Sequence, residues 1–396
     1  MGESSSTGTW RRAGFAGAAI GVLAAGAAAG VAVERLTVGR SVRQKARLAL
    51  DSTGPYGGLR GTSGRALADD STVLYYEVDE VAADTPPARR RRLFGRKEPA
   101  PVTVVFSHGY CLNQDSWHFQ RAALRGLVRT VHWDQRSHGR SGQGVAQSGA
   151  DAVPVTIDQL GRDLKAVLDV AAPEGPLVLV GHSMGGMTIM ALADRYPEFV
   201  RDRVVGVAFV GTSAGKLGEV SYGLPIAGVN AVRRVLPGVL RALGSQAELV
   251  ERGRRATADL FAGLIKKYSF ASRDVDPAVV RFAERMIEST PIDVVAAFYP
   301  AFADHDKAAA LPVLLDLPVL ALAGDQDLVT PSSHTEAIAD LLPDAELVIV
   351  PDGGHLVMLE HPEAVTDRLA DLLVRAGAVP ETAAAAVTVR PETRNG

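Results

Sequence analysis

"PLVLVGHSMGGMTIMALADRYP", residues 176–197, carries the reading of the fold. Leu177 to Val180 are apolar without alternation, the mark of a strand buried on both faces. Gly181-His182-Ser183-Met184-Gly185 interrupts that run, and a helix-like stretch from Met184 to Tyr196 follows, stopped by Pro197. A strand that passes straight into a helix must turn sharply. Glycines two residues before and after Ser183 leave room for the turn, which lifts the serine hydroxyl to the top of a sheet. The N-terminus of the following helix favours negative charge at that point. Ser183 is therefore a candidate nucleophile, and the strand–turn–helix context makes the G-x-S-x-G pattern more than a chance match.

The same alternation extends outward. "VTVVFSHG" (102–109) reads as a buried strand, and "TVHWDQRSHGRSG" (130–142) as a strand ending in a polar, glycine-rich loop. "TIDQLGRDLKAVLDVA" (156–171) has helical spacing. "DRVVGVAFVGTS" (202–213), "LPVLALAGDQD" (317–327) and "AELVIVPDGGH" (345–355) are further strands. Apolar strands separated by helices predict an α/β domain, a doubly wound, mostly parallel sheet covered on both faces. Upstream, "STVLYYEVDE" (71–80) reads as a strand of an opening hairpin, after a glycine-rich connector at 51–64 and before a basic loop, "TPPARRRRLFGRKEP" (85–99). Residues 215–311 break the alternation with helical stretches and no clear strand, and read as an inserted helical cap. The core is then 51–214 and 312–375, and 376–396 reads as a disordered tail.

The chain has 396 residues, 47% of them hydrophobic and 22% charged, with a formal net charge of -3. No basic excess is present to neutralise phosphates, which argues against a nucleic-acid partner. Cys111 is the one cysteine, so an intramolecular disulfide is excluded. Neither structural-zinc spacing nor a phosphate-binding GxxxxGK[ST] loop occurs, and no metal or cofactor is expected.

Residues 13–33, "AGFAGAAIGVLAAGAAAGVAV", run for 21 positions without a charge, long enough to span a bilayer as a helix. Arg11 and Arg12 precede this segment, and Arg35, Arg40, Arg43, Lys45 and Arg47 follow it. Positive charge just after an apolar segment opposes its export. The expectation is a membrane anchor that contacts lipid through 13–33, with the large domain on the cytoplasmic side. The competing reading is an exported chain with a cleaved signal peptide.

A serine hydroxyl is a weak nucleophile and needs a base. His355, in "DGGHLVMLEHPEAV" after the last strand, is the candidate base. The base needs a carboxylate to hold its tautomer. "LALAGDQDLVTP" offers Asp327, the first choice, and Asp325, the runner-up. The chain order serine, aspartate, histidine suits this architecture. The backbone N–H groups of Tyr110, in "SHGYCLNQDSW", and of Met184 are the candidate oxyanion donors.

Together these residues resemble the α/β-hydrolase fold superfamily over about residues 70–375. The motifs are Ser183 in GHSMGG, "HGYCLN", "DQRSHGRSG", "GDQDLVTP" and "GGHLVMLEHPE". The resemblance implies an eight-stranded sheet, a cap over the site, and cofactor-free hydrolysis, most often of a carboxylic ester. It also marks Asp134 to Ser141 as a structural turn near the site rather than part of the triad. Ser183 stands where epoxide hydrolases and dehalogenases carry an aspartate, which argues against both. Cofactor-free haloperoxidase-like enzymes and carbon–carbon bond hydrolases share the Ser-Asp-His set, and some members of the fold only bind ligands. The apolar cap stretches "GLPIAGVNAVRRVLPGVLRALG" and "TPIDVVAAFYPAF" suit a hydrophobic or lipid-like small-molecule ester.

Overall fold

The computed structural model describes residues 56–82, 100–148, 153–220, 265–272 and 274–380. The strands are β1 (Thr62–Leu67), β2 (Val73–Asp79), β3 (Thr103–Ser107), β4 (Arg129–Trp133), β5 (Leu177–His182), β6 (Val204–Val210), β7 (Val319–Gly324) and β8 (Glu346–Val350). Among the described residues they form one sheet in the order β1-β2-β4-β3-β5-β6-β7-β8. β2 runs antiparallel to both its neighbours, and every other pairing is parallel. The expected mostly parallel, eight-stranded sheet is therefore present.

Among the described residues, the α-helices with both ends defined are α1 (His118–Leu124), α2 (Ile157–Ala171), α3 (Met184–Arg195), α4 (Pro197–Arg203), α5 (Pro277–Glu288), α6 (Ile292–Ala303), α7 (Ser332–Leu341), α8 (Val357–Glu360) and α9 (Pro362–Arg375). β3, β5 and β7 are buried along their whole length, as strands covered on both faces must be. Alternate residues feed two cores. On one face Val104, Phe106, Val178 and Val180 pack with Leu124 of α1 and Leu369 and Leu373 of α9. On the other, Val105, Leu177 and Leu179 pack with Leu164 and Leu168 of α2, Ile189 and Met190 of α3, and Ile338 of α7.

Two local readings change. β1 begins inside the stretch read as a connector: "TSGRAL" is polar and mostly exposed because it is an edge strand, so burial left little mark on its sequence. At the other end Val379 is buried, and the N–H of Ala378 donates to Leu373 O at 2.8 Å, so the packed chain continues past 376. Residues 381–396 lie outside the described residues, as does the basic loop 85–99 up to Pro99. The segment 13–33, expected to anchor the chain, lies outside them too, and an N-terminal membrane helix is not supported. No helix among the described residues is long and apolar enough to cross a membrane.

Candidate active site

Ser183 lies between β5 and α3 with φ 51 and ψ -119, a conformation costly for a residue with a Cβ. The surroundings impose it. The Ser183 N–H donates to Val210 O at 3.0 Å, and its carbonyl accepts from Gly186 N at 2.9 Å and from the Thr212 hydroxyl at 2.7 Å. Both flanking glycines are needed for close approach. A Cβ at Gly181 would lie 2.6 Å from the Gly185 carbonyl, and one at Gly185 would lie 2.2 Å from Ser107 O. The elbow therefore packs backbone on backbone, and Ser183 itself is 6% exposed.

His355 follows β8, and Asp327 follows β7. The His355 Nδ1 and Asp327 Oδ2 atoms are 2.8 Å apart. Asp327 is preorganised as an acceptor: Oδ1 receives the N–H groups of Val329 and Thr330 at 2.8 and 2.9 Å. The Thr330 hydroxyl stands 2.9 Å from Asp327 Oδ2, 2.8 Å from Gly211 O and 3.3 Å from His355 Nδ1. Asp325 is turned elsewhere. It is exposed, and its carboxylate accepts from Gly353 N at 3.3 Å, closing the turn after β8. Of the two carboxylates left open by the sequence, Asp327 is thus the one paired with His355. Ser183 Oγ makes no hydrogen bond among the described residues, so the contact from serine to imidazole is not closed here. Catalytic hydrogen bonds commonly tighten only when substrate binds.

The loop after β3 lies against the elbow: a Cβ on Gly109 would be 3.2 Å from the Ser183 Cβ. The Tyr110 N–H has no acceptor among the described residues, and Met184, as first residue of α3, has no intrahelical one. The loop that carries Tyr110 thus lies against the elbow, and Met184 directly follows Ser183.

Two buried histidines hold this loop. His108 Nε2 accepts from Gln135 N at 2.9 Å, while its Nδ1 faces Gly109 O at 2.7 Å. His138 Nε2 accepts from Cys111 N at 3.2 Å, while its Nδ1 faces Arg136 O at 2.9 Å. An imidazole that accepts a backbone N–H must leave that nitrogen bare, so both rings are neutral and protonated at Nδ1. Burial agrees, pushing His108 down to about 3 and His138 down to about 4. His182, beside the serine, points away from it: Nε2 is 2.9 Å from His355 O, and burial holds its pKa well below the ordinary value. Asp134 accepts from Gln114 N and Arg140 N at 2.7 and 2.8 Å, and burial raises it to about 6. It ties the polar turn rather than serving His355, the structural role implied by the resemblance.

Thr330 and Glu360 were not singled out in the sequence. Glu360 accepts from Gly354 N, Ala271 N and Ser272 N at 2.6, 2.9 and 2.7 Å, clamping the His355 loop to the inserted segment at 271–272. The carboxylate in "HLVMLEHPE" was the available signal, but its partners lie up to 89 residues away. Next to the elbow the packing is apolar: Met184 and Met187 of α3 form a buried cluster with Val294, Phe298 and Ala301 of α6. Among the described residues no group of three or more histidines, cysteines or acids is placed to hold a metal ion.

Residues 104–368 match the sequence model described as the alpha/beta hydrolase family. The dihydrolipoyllysine-residue acetyltransferase component of the acetoin cleaving system of Pseudomonas putida is 26% identical over 67% of this chain, a match spanning 62% of that protein. The mouse sn-1-specific diacylglycerol lipase ABHD11 is 29% identical, with 68% of this chain and 80% of the lipase aligned. Among solved structures, a thermophilic esterase from Thermogutta terrifontis superposes with a TM-score of 0.58 and 24% identity, covering 80% of this chain and 99% of the esterase.

Proposed function

The chain belongs to the alpha/beta hydrolase family, its relatives include a lipase, and from that premise we propose that it cleaves a carboxylic ester through an acyl-enzyme on Ser183. The observation that carries this reading is the hydrogen bond of His355 to the buried, preorganised Asp327, in the loops beside the strained Ser183 elbow.

In this mechanism His355 Nε2 takes the Ser183 proton as Oγ attacks the ester carbonyl. Asp327, fixed by two backbone N–H groups and the Thr330 hydroxyl, holds the Nδ1–H tautomer and balances the imidazolium charge. The tetrahedral oxyanion is received by the N–H groups of Tyr110 and Met184, each worth roughly 3 kcal/mol of barrier. The imidazolium then protonates the leaving alcohol. Water, deprotonated by the same imidazole, attacks the acyl-enzyme, and collapse of the second tetrahedral intermediate releases the acid and restores Ser183.

The apolar cluster of Met184, Met187, Val294 and Phe298 between the elbow helix and the cap supports a hydrophobic acyl or alcohol group, and so does the likeness to a protein named as a diacylglycerol lipase. An anchor at 13–33, with the domain on the cytoplasmic face, would bring such an ester to the site from the membrane. Alkaline extraction of membranes carrying the full chain, beside a form lacking residues 1–50, tests that placement: release of both forms alike would remove it. The reaction itself is tested with a fluorophosphonate, which phosphonylates an activated serine. Labelling of the wild type and not of Ser183→Ala is expected, and an unlabelled wild type would overturn the reading. Turnover of p-nitrophenyl esters should rise from acetyl toward longer acyl chains, and a steady fall from acetyl to decanoyl would sink the hydrophobic substrate.

A further inference from the structure

We propose that Tyr110 is a positioning residue as well as an oxyanion donor: its side chain couples cap helix α6 to the oxyanion hole. The proposal rests on the serine-hydrolase reading above and adds to it a part for the cap.

The Tyr110 backbone follows Gly109, which lies against the elbow, and its side chain runs into the cap. The hydroxyl donates to Val295 O of α6 at 2.5 Å. The ring meets Phe302 of the same helix edge-on at 4.9 Å between centroids and lies nearly parallel to Phe298 at 6.3 Å. The next residue, Cys111, has φ 59, and its N–H is held by His138 Nε2. The His138 ring packs edge-on against Phe298 at 4.9 Å. The two side chains that set the peptides around the Tyr110 N–H therefore both lean on α6, and they converge on Phe298, which is buried.

The consequence is mechanical. An N–H stabilises a developing oxyanion only when aimed at it, and a misplacement of about 1 Å is enough to cost roughly a hundredfold in rate. With α6 seated, the phenol is satisfied and the ring is wedged, so the residue 109–111 backbone has one arrangement. With α6 displaced, the phenol loses its bond to Val295 O and His138 loses its contact with Phe298, and the loop is free to turn the N–H away. Cap closure over an ester thus completes the hole, and an open cap leaves Ser183 with one fewer aimed donor.

Tyr110→Phe removes the tie and leaves the ring and the backbone N–H. The expected result is a loss of roughly tenfold in kcat with KM changed less than about twofold. Affinity for a trifluoromethyl ketone, whose hemiketal oxyanion occupies the hole, should fall by the same factor as kcat/KM. Affinity for the alcohol product, which places no charge there, should stay the same. Phe302→Leu, which removes the edge-on contact that wedges the Tyr110 ring and is read out in the same way, carries the test should Tyr110→Phe fail to fold. An unchanged kcat, a rise in KM alone, or a trifluoromethyl ketone bound as tightly as by the wild type would overturn the coupling. Fluorophosphonate labelling separates the two readings: a labelled wild type with an unaffected variant removes the coupling alone, and an unlabelled wild type removes both.

Discussion

Acidification should destabilise this protein steeply, and through histidines that do no chemistry. His108, His132, His138 and His182 are all fully buried and neutral, their pKa values pushed down by loss of solvent. For His108 and His138 the native values are about 3 and about 4. An unfolded histidine titrates near 6.5. The folded values lie below the unfolded one, so the stability they represent is present above about pH 6.5 and is lost as the pH falls toward the folded values. Between about pH 7.5 and about pH 5.5, each unfolded imidazole gains nearly a full proton that the native state refuses, a cost of about 1 kcal/mol or slightly more per residue. Four residues bring this to roughly 5 kcal/mol. Asp134 opposes them: its native value of about 6 lies above the unfolded one, so it regains part of this, about 1 kcal/mol, as the pH falls. The net loss of about 4 kcal/mol is a large share of the ~5–15 kcal/mol typical of a folded domain. Urea unfolding followed by circular dichroism at the two pH values measures it directly. His138→Gln keeps an acceptor for the Cys111 N–H and should lower the pH slope by one proton, about 1.4 kcal/mol per pH unit below 6. A stability that changes by less than about 1 kcal/mol across the range, or a variant with the wild-type slope, would refute the reasoning.

Asp327→Asn should lower kcat by roughly 10³- to 10⁴-fold, because an amide favours the wrong His355 tautomer. Asp325→Asn should cost less than about tenfold, and ester hydrolysis by the two variants side by side checks the assignment. Gly185→Ala should abolish folding or lower the melting temperature by well over ten degrees, since the new Cβ would meet Ser107 O at 2.2 Å and a strand backbone cannot yield. Thermal unfolding of that variant, if it is soluble, reads the effect.

Much of this molecule is written locally. The β5–elbow–α3 unit is legible because burial on both faces demands an unbroken apolar strand and the tight turn demands glycines at 181 and 185. Ser183 follows from this segment, and the candidate acid and base from the loops after β7 and β8. β1 escaped because an edge strand is half in water, and nothing obliges it to be apolar. The sequence put Asp327 first and left Asp325 open, and the tertiary structure pairs Asp327 with His355. Both carboxylates lie in one turn, and only the arrival of His355 from the following β8 loop decides which carboxylate faces an imidazole. The neutral state of His108 and His138 likewise depends on N–H groups 27 residues away, and the tie from Tyr110 to Val295 spans 185. A sequence records what each segment requires of its own backbone and its own burial. Which side chain completes another's hydrogen bond is set by how the segments pack, and that information exists only once the chain has closed on itself.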